Sequence, residues 1–405
     1  SANPVITYGS GLSGSVNHIH AVFDSAKKTP RFIHGSNDTC TATISDPVCR
    51  KLSRWELLGS RDLPPLNEAW PGHLPYGLYD GPTIVPNSMD VSQKFGGVIG
   101  EGLPGGRIYY QSSNEMRGRY LHQNVDLVDY GTGIPRVPAN IDGVSAVWIA
   151  KSQNIPRMTQ GLIGILCGST LGVVTAYSFG SDSANIKLVP QGSVTAKWVL
   201  SPGVPIIAFD VDDSYNSKRK DCGRVWAVAL NALGEVFYLN QSLSASLAKT
   251  SDEIEAERQA WNTGSTVYWH MIKDTRRIAY DNPYQCPEVH GSYFPRSSPK
   301  SLNLSQAQMW AETREIEAFF QYTPAHFRKK YDTWDMRRKL HVDFGGDDGN
   351  GAGEAVFIIK LGVSEGQPAE ILRRTRFVGE MTTKNFTKYF ESQTCLGTLP
   401  DSSLK

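Results

Sequence analysis

The strongest constraint on the fold is a hairpin that has no polar face. In the stretch 224–239, RVWAVALNALGEVFYL, two β-preferring runs flank a short break, with Gly234 late in that break. Runs about four residues apart around a late glycine read as a β-hairpin. Val225, Ala227 and Ala229 alternate with Trp226, Val228 and Leu230, and all six are apolar. A strand that is apolar on both sides needs cover on both sides. The hairpin therefore belongs inside a stack of sheets.

The design recurs. Lys94–Ser112, Gly161–Phe179 and Pro30–Ile44 are each an apolar run, a break and a second run, and Glu354–Val378 supplies another. The late turn glycines Gly106, Gly172 and Gly234 are 66 and 62 residues apart. Flanking strands are expected before the first four hairpins at Val16–Asp24, Pro82–Asn87, Gly143–Ser152 and Val204–Asp212. Others are expected after them at Lys51–Leu58, Tyr120–Val128, Ile186–Gln191 and Thr266–Ile272. Four strands per unit at a long repeat is the pattern of propeller blades. The expected fold is all-β: one β-propeller domain over residues 1–405, with about five to seven four-stranded blades. A two-sheet sandwich is the competing arrangement.

Blade design of this kind resembles WD40-like propellers. The one Gly-His pair, Gly72-His73, has no Trp-Asp closing a blade after it, and the one Trp-Asp pair, Trp334-Asp335, falls in an expected helix. The resemblance implies a fold and carries over no functional residues.

A loop and helical insertion at 273–340 interrupts the pattern before the last visible blade. Ser305-Gln-Ala-Gln308 fits a capping box that opens a helix running to about Tyr322. Thr323-Pro324 is expected to restart a helix that carries Phe327, Tyr331, Trp334 and Arg338 at helical spacing. Thr250 and Glu253 suggest a capping box on a shorter helix over Ser251–Trp261. In the second insertion helix six basic residues oppose only Asp332 and Asp335. This makes Arg328, Lys329, Lys330, Tyr331, Trp334, Arg337 and Arg338 the candidate partner-binding residues.

Other motifs have plainer readings. Gly100-Glu-Gly-Leu-Pro-Gly105 matches GxGxxG but leads into a β-run instead of a helix, so it is a hairpin turn. Asp343–Glu354 has the length of a calcium loop but lacks the turn glycine, and reads as an acidic loop. Asp210, Asp212 and Asp213 follow a strand and read as a solvated loop, with a cation or an arginine partner as the alternative. His18 and His20 share a strand, with His34 a possible neighbour, but no third metal ligand is evident. Neither a cofactor nor a metal is expected.

Forty-one basic residues against 40 acidic ones give overall charge no preference for nucleic acid or membrane. No apolar run is long enough to span a bilayer. Six cysteines form no CxxC pair; Cys167 is expected to be a reduced core residue, and Cys40 with Cys49 a possible disulfide. These features point to a nuclear or cytoplasmic protein. The expected function is a non-catalytic scaffold that binds other protein subunits, with nucleic acid a possible partner reached indirectly, and no membrane partner or small-molecule substrate. The alternatives are a carbohydrate-binding propeller, using the stretch 106–120 (GRIYYQSSNEMRGRY), and a hydrolase or lyase with its site over a central channel.

Overall fold

The computed structural model describes the backbone of five strands between residues 5 and 56, the strand 389–395, and residues 88–377 with interruptions. The interruptions are 102–105, 114, 116–117, 122–124, 180–190, 242, 244–251, 278–303, 323–325, 328–329, 332, 347–351 and 361–368.

The chain is all-β in class, and its described residues form five antiparallel sheets in which strand order follows chain order. The first sheet contains β1 (Val5–Leu12), β2 (Ser15–Phe23), β3 (Pro30–Ser36), β4 (Thr41–Asp46) and β5 (Lys51–Glu56). The second contains β6 (Ser88–Gln93), β7 (Gly96–Gly100), β8 (Ile108–Ser112) and β9 (Arg119–Tyr120). The third contains β10 (Val144–Ile149), β11 (Ile165–Ser169), β12 (Val173–Tyr177) and β13 (Val194–Val199). The fourth contains β14 (Ile206–Val211), β15 (Ala227–Asn231), β16 (Val236–Leu239) and β17 (His270–Met271). The fifth contains β18 (Lys339–Asp343), β19 (Ala352–Lys360), β20 (Glu370–Phe377) and β21 (Tyr389–Cys395).

All five expected hairpins form adjacent strand pairs in these sheets: β3–β4, β7–β8, β11–β12, β15–β16 and β19–β20. The flanking strands depart from expectation in four places. Ser88–Gln93 pairs with β7, and the expected strand Pro82–Asn87 lies outside the described residues. In the third sheet the last strand is Val194–Val199, after the expected Ile186–Gln191, most of which also lies outside them. A lysine at its centre, Lys197, disguised this strand as polar. The last strands of the second and fourth sheets shrink to two residues each. Conversely, β18 and β21 complete the fifth unit, and β1 adds a strand that its glycines concealed in the sequence.

Apolar residues on both sides of a strand are explained by cores between successive sheets. Ala227 and Ala229 of β15 join Trp148, Leu166, Trp198 and Trp269 in a core between the third and fourth sheets. Val228 and Leu230, pointing the other way, join Val342, Val356 and Ile358 in a core between the fourth and fifth. A third core packs Val98, Ile108 and Tyr110 of the second sheet against Ile149, Ile165 and Cys167 of the third. Two faces of one strand thus serve two cores, as alternation requires.

First strands of neighbouring sheets lie beside each other: β6 beside β10, β10 beside β14, and β14 beside β18. Side-chain bonds to main chain tie the three pairs. Asp90 accepts from the Ile149 amide at 3.1 Å, the Ser145 hydroxyl donates to the Ile206 carbonyl at 2.6 Å, and Asp210 accepts from the Val342 amide at 2.7 Å. Each satisfies a main-chain group that the cores would otherwise leave unpaired.

Two helices pack on this frame. Glu253–Gly264 lies against β13 and starts at Asp252, whose side chain accepts from the Ile254 amide. The cap is therefore Asp252, and the expected Thr250 lies outside the described residues. Gln306–Phe320 opens with the expected capping box, in which Ser305 and Gln308 bond each other's amides. It buries Ile316 and Phe320 against Leu127, Ile134, Leu171 and Trp261.

Candidate functional site

The candidate residues divide by burial. Arg328 and Lys329 lie outside the described residues. Tyr331 and Trp334 are buried with Phe327, both rings stacking on it at 6.4 and 6.0 Å, in the core shared by the fourth and fifth sheets. Arg338 is buried too, donating to the carbonyls of Ala232 at 2.7 Å and Thr333 at 2.5 Å. Burial pulls its guanidinium down to about 10. These three side chains anchor the insertion and are not available to a partner. The expectation fails for them because apolar and aromatic residues at helical spacing serve a core as readily as an interface. Lys330 and Arg337 are half-buried, and Arg337 pairs with Asp335 at 3.2 Å.

Nor does the expected helix continue to Arg338, since residues 333–338 are turn and irregular backbone. The Asp335 amide donates to Ala232, and the Asp335 carboxylate accepts the Arg337 amide. The local carboxylate acceptor competes with helical bonding and the Ala232 carbonyl holds the Asp335 amide from outside the segment, so Trp334-Asp335 lies in non-helical backbone leading into β18.

What the insertion does expose is an aromatic face on the helix Gln306–Phe320. Trp310 is 44% exposed, with the Tyr130 ring edge-on at 5.1 Å and the Arg314 guanidinium over its face at 4.7 Å. Glu317, one helical side round, accepts from the Tyr130 hydroxyl at 2.9 Å and the Arg136 amide at 2.6 Å. Those bonds fix the helix to the loop that follows the second sheet. Tyr322, just past the helix, is 40% exposed and stacks on His326 at 4.2 Å. A sequence signal for this face exists: Trp310 lies off the stripe Met309, Thr313, Ile316 and Phe320, on a helix whose other bulky residues follow it.

Other sequence candidates are committed elsewhere. Asp212 is buried and pairs with Arg219, so the solvated loop expected there does not hold for it and the arginine alternative does. Glu354, at the end of the calcium-like loop, is fully buried and bonds Arg224 at 2.6 Å and Arg376 at 2.9 Å, joining the fourth and fifth sheets. In the stretch 106–120, Tyr109 and Tyr110 are buried, and Arg107 bonds Glu101 at 2.7 Å while lying 4.2 Å from the Tyr120 ring. Two of its three tyrosines thus have no open face for a sugar. His34 sits opposite Ile19 in the register, out of step with His18 and His20. Cys167 is a free buried thiol; Cys40 and Cys49 lie outside the described residues. Among the described residues no three His, Cys, Asp or Glu side chains gather as metal ligands, and no helix is long and apolar enough to cross a membrane.

No protein-family model matches the chain, and no curated protein matches its sequence.

Proposed function

We propose that the chain is a β-propeller of five blades that serves as a non-catalytic platform for other subunits of a protein assembly. Radial packing is supported by the side-by-side first strands and by the polar bonds that tie each to the next. In this reading the fifth sheet returns to the first and closes the ring. The free thiols Cys167 and Cys222 suit a reducing compartment, nuclear or cytoplasmic.

The observation that carries the platform reading is Trp310, a large aromatic held open on a helix whose orientation is locked by Glu317. Tryptophan and arginine are the residue types that dominate binding energy at protein interfaces, and here Arg314 already lies against the indole. Copurification from the native source with wild type and with Trp310→Ala plus Arg314→Ala tests it. The variant is expected to lose at least one stoichiometric partner while keeping the wild-type thermal transition. An unchanged set of partners contradicts the proposal.

A further inference from the structure

The platform has a second, electrostatic surface. At the end of the fourth and fifth sheets that carries the β15–β16 turn, three chain segments bring cations together. Lys273, Arg276 and Arg277 leave β17 there, and Lys330, Arg337 and Lys339 belong to the segment that crosses this end into β18. Lys360 closes β19, and Arg374 follows on β20. All eight are at least partly exposed, and among the described residues the carboxylates beside them are Asp274, Glu370 and Asp335, the last paired with Arg337. Among the described residues eight cations thus face three carboxylates at one end of a chain whose net charge is +1.

Hydrogen bonds fix part of this surface. Arg277 donates to the Leu233 carbonyl at 3.2 Å, beside the Ala232 carbonyl that holds Arg338. Arg374 donates to the Arg373 carbonyl at 3.2 Å. Among the described residues these three guanidiniums donate to main-chain carbonyls, while Asp335 and Glu370 lie near Arg338 and Asp274 near Arg374 and offset part of their charge. Burial lowers the pKa of Arg374, with Asp274 close enough to oppose that shift and Arg277 close enough to add to it.

We infer that this end of the fourth and fifth sheets docks an acidic, unstructured segment of a protein partner. Charge complementarity selects an anionic chain. Spaced carboxylates fit it better than a nucleic-acid duplex, which carries a charge about every 1.7 Å of its axis and would meet Asp274 and Glu370 directly. The aromatics that would stack on exposed bases, Phe327, Tyr331 and Trp334, are buried. The inference rests on the platform reading but concerns a surface apart from Trp310.

The test titrates the full chain with a fluorescent Glu/Asp-rich 15-residue peptide, and with a 15-base-pair DNA duplex, across a salt series. Peptide binding is expected to weaken with salt and to fall about tenfold in Arg277→Glu plus Arg374→Glu. Lys339→Glu plus Lys360→Glu, on two exposed strand ends, is expected to do the same without touching a hydrogen-bonded arginine. Lys218→Glu plus Lys220→Glu, on a helix at the other end of the fourth sheet, is expected to change it less than twofold. Equal loss in that control, no loss in either patch variant, undetectable peptide binding, or a duplex that binds more tightly than the peptide would each overturn the inference. Undetectable peptide binding alongside Trp310-dependent partners would sink this inference and leave the platform reading standing, whereas peptide binding with no Trp310-dependent partner would do the reverse.

Discussion

Lys197 on β13 and Glu257 on the helix Glu253–Gly264 form an ion pair of 2.5 Å with side-chain exposures of 2% and 3%. Glu257 also accepts from the Trp261 indole at 3.0 Å, and Trp198 donates to the Gly264 carbonyl at 2.8 Å. The helix is thus bolted to the edge of the third sheet by polar bonds inside an apolar setting.

Removing one member of a buried pair strands the other charge, at about 3–5 kcal/mol, whereas replacing both with apolar residues is often neutral or stabilising. Urea unfolding should therefore show Glu257→Gln losing about 3 kcal/mol or more. Lys197→Met with Glu257→Leu should recover most of that loss. A double variant as unstable as the single would mean that the pair is not an isolated clamp.

Asp142 gives the fold a pH-dependent term of defined sign. Its buried carboxyl accepts from the Gly143 and Leu171 amides and the Thr170 hydroxyl, yet burial outweighs those bonds and pushes its pKa up to about 6. The unfolded carboxyl ionises near pH 4. Below that value both states are protonated and its contribution is complete. As pH rises from about 4 to 6 the unfolded chain releases the proton first, so stability from this group falls through that window. Asp142→Asn keeps an oxygen for the three donors and removes the ionisation. Chemical denaturation at pH 4, 5, 6 and 7 should show a shallower decline in the variant. Parallel curves would show that the carboxyl ionises normally.

Gly172 and Gly234 end the breaks of equivalent hairpins, and both have positive φ, at 79° and 86°. Alanine at either meets left-handed strain of about 1 kcal/mol or more. At 172 a Cβ would also fall 1.8 Å from the Ser201 carbonyl oxygen, whereas at 234 its nearest neighbour is the Arg338 guanidinium at 3.2 Å. Gly172→Ala should thus cost about 1–3 kcal/mol more than Gly234→Ala, the usual range for overpacking. Thermal denaturation of the two variants side by side decides it.

Much of the sheet frame was legible because it depends on local pattern. Double-sided apolar runs marked β11 and β15, and spaced glycines marked their turns. Gly106, the third of those glycines, proved to matter for a different reason: a Cβ there would sit 2.6 Å from Gly143 Cα, where the second and third sheets meet. What depends on tertiary partners was not legible. Lys197 hid β13 because its counter-charge lies 60 residues on, at Glu257. Tyr331 and Trp334 looked like an interface because spacing gives a face of a helix without saying what covers it. Trp310 was overlooked because exposure is set by the loop it leans on, through Tyr130 and Glu317.

In the proposed propeller the five sheets pack radially and close on themselves. Site-specific spin labels on Asn17 of β2 and His341 of β18, read by dipolar spectroscopy in the full chain, test it most directly. Face-packed sheets lie about 10 Å apart, so a closed ring predicts a narrow distribution centred below about 25 Å once label linkers are included. An open row of five sheets would place the labels about 40 Å apart by the same spacing, and a distribution centred there would contradict the account.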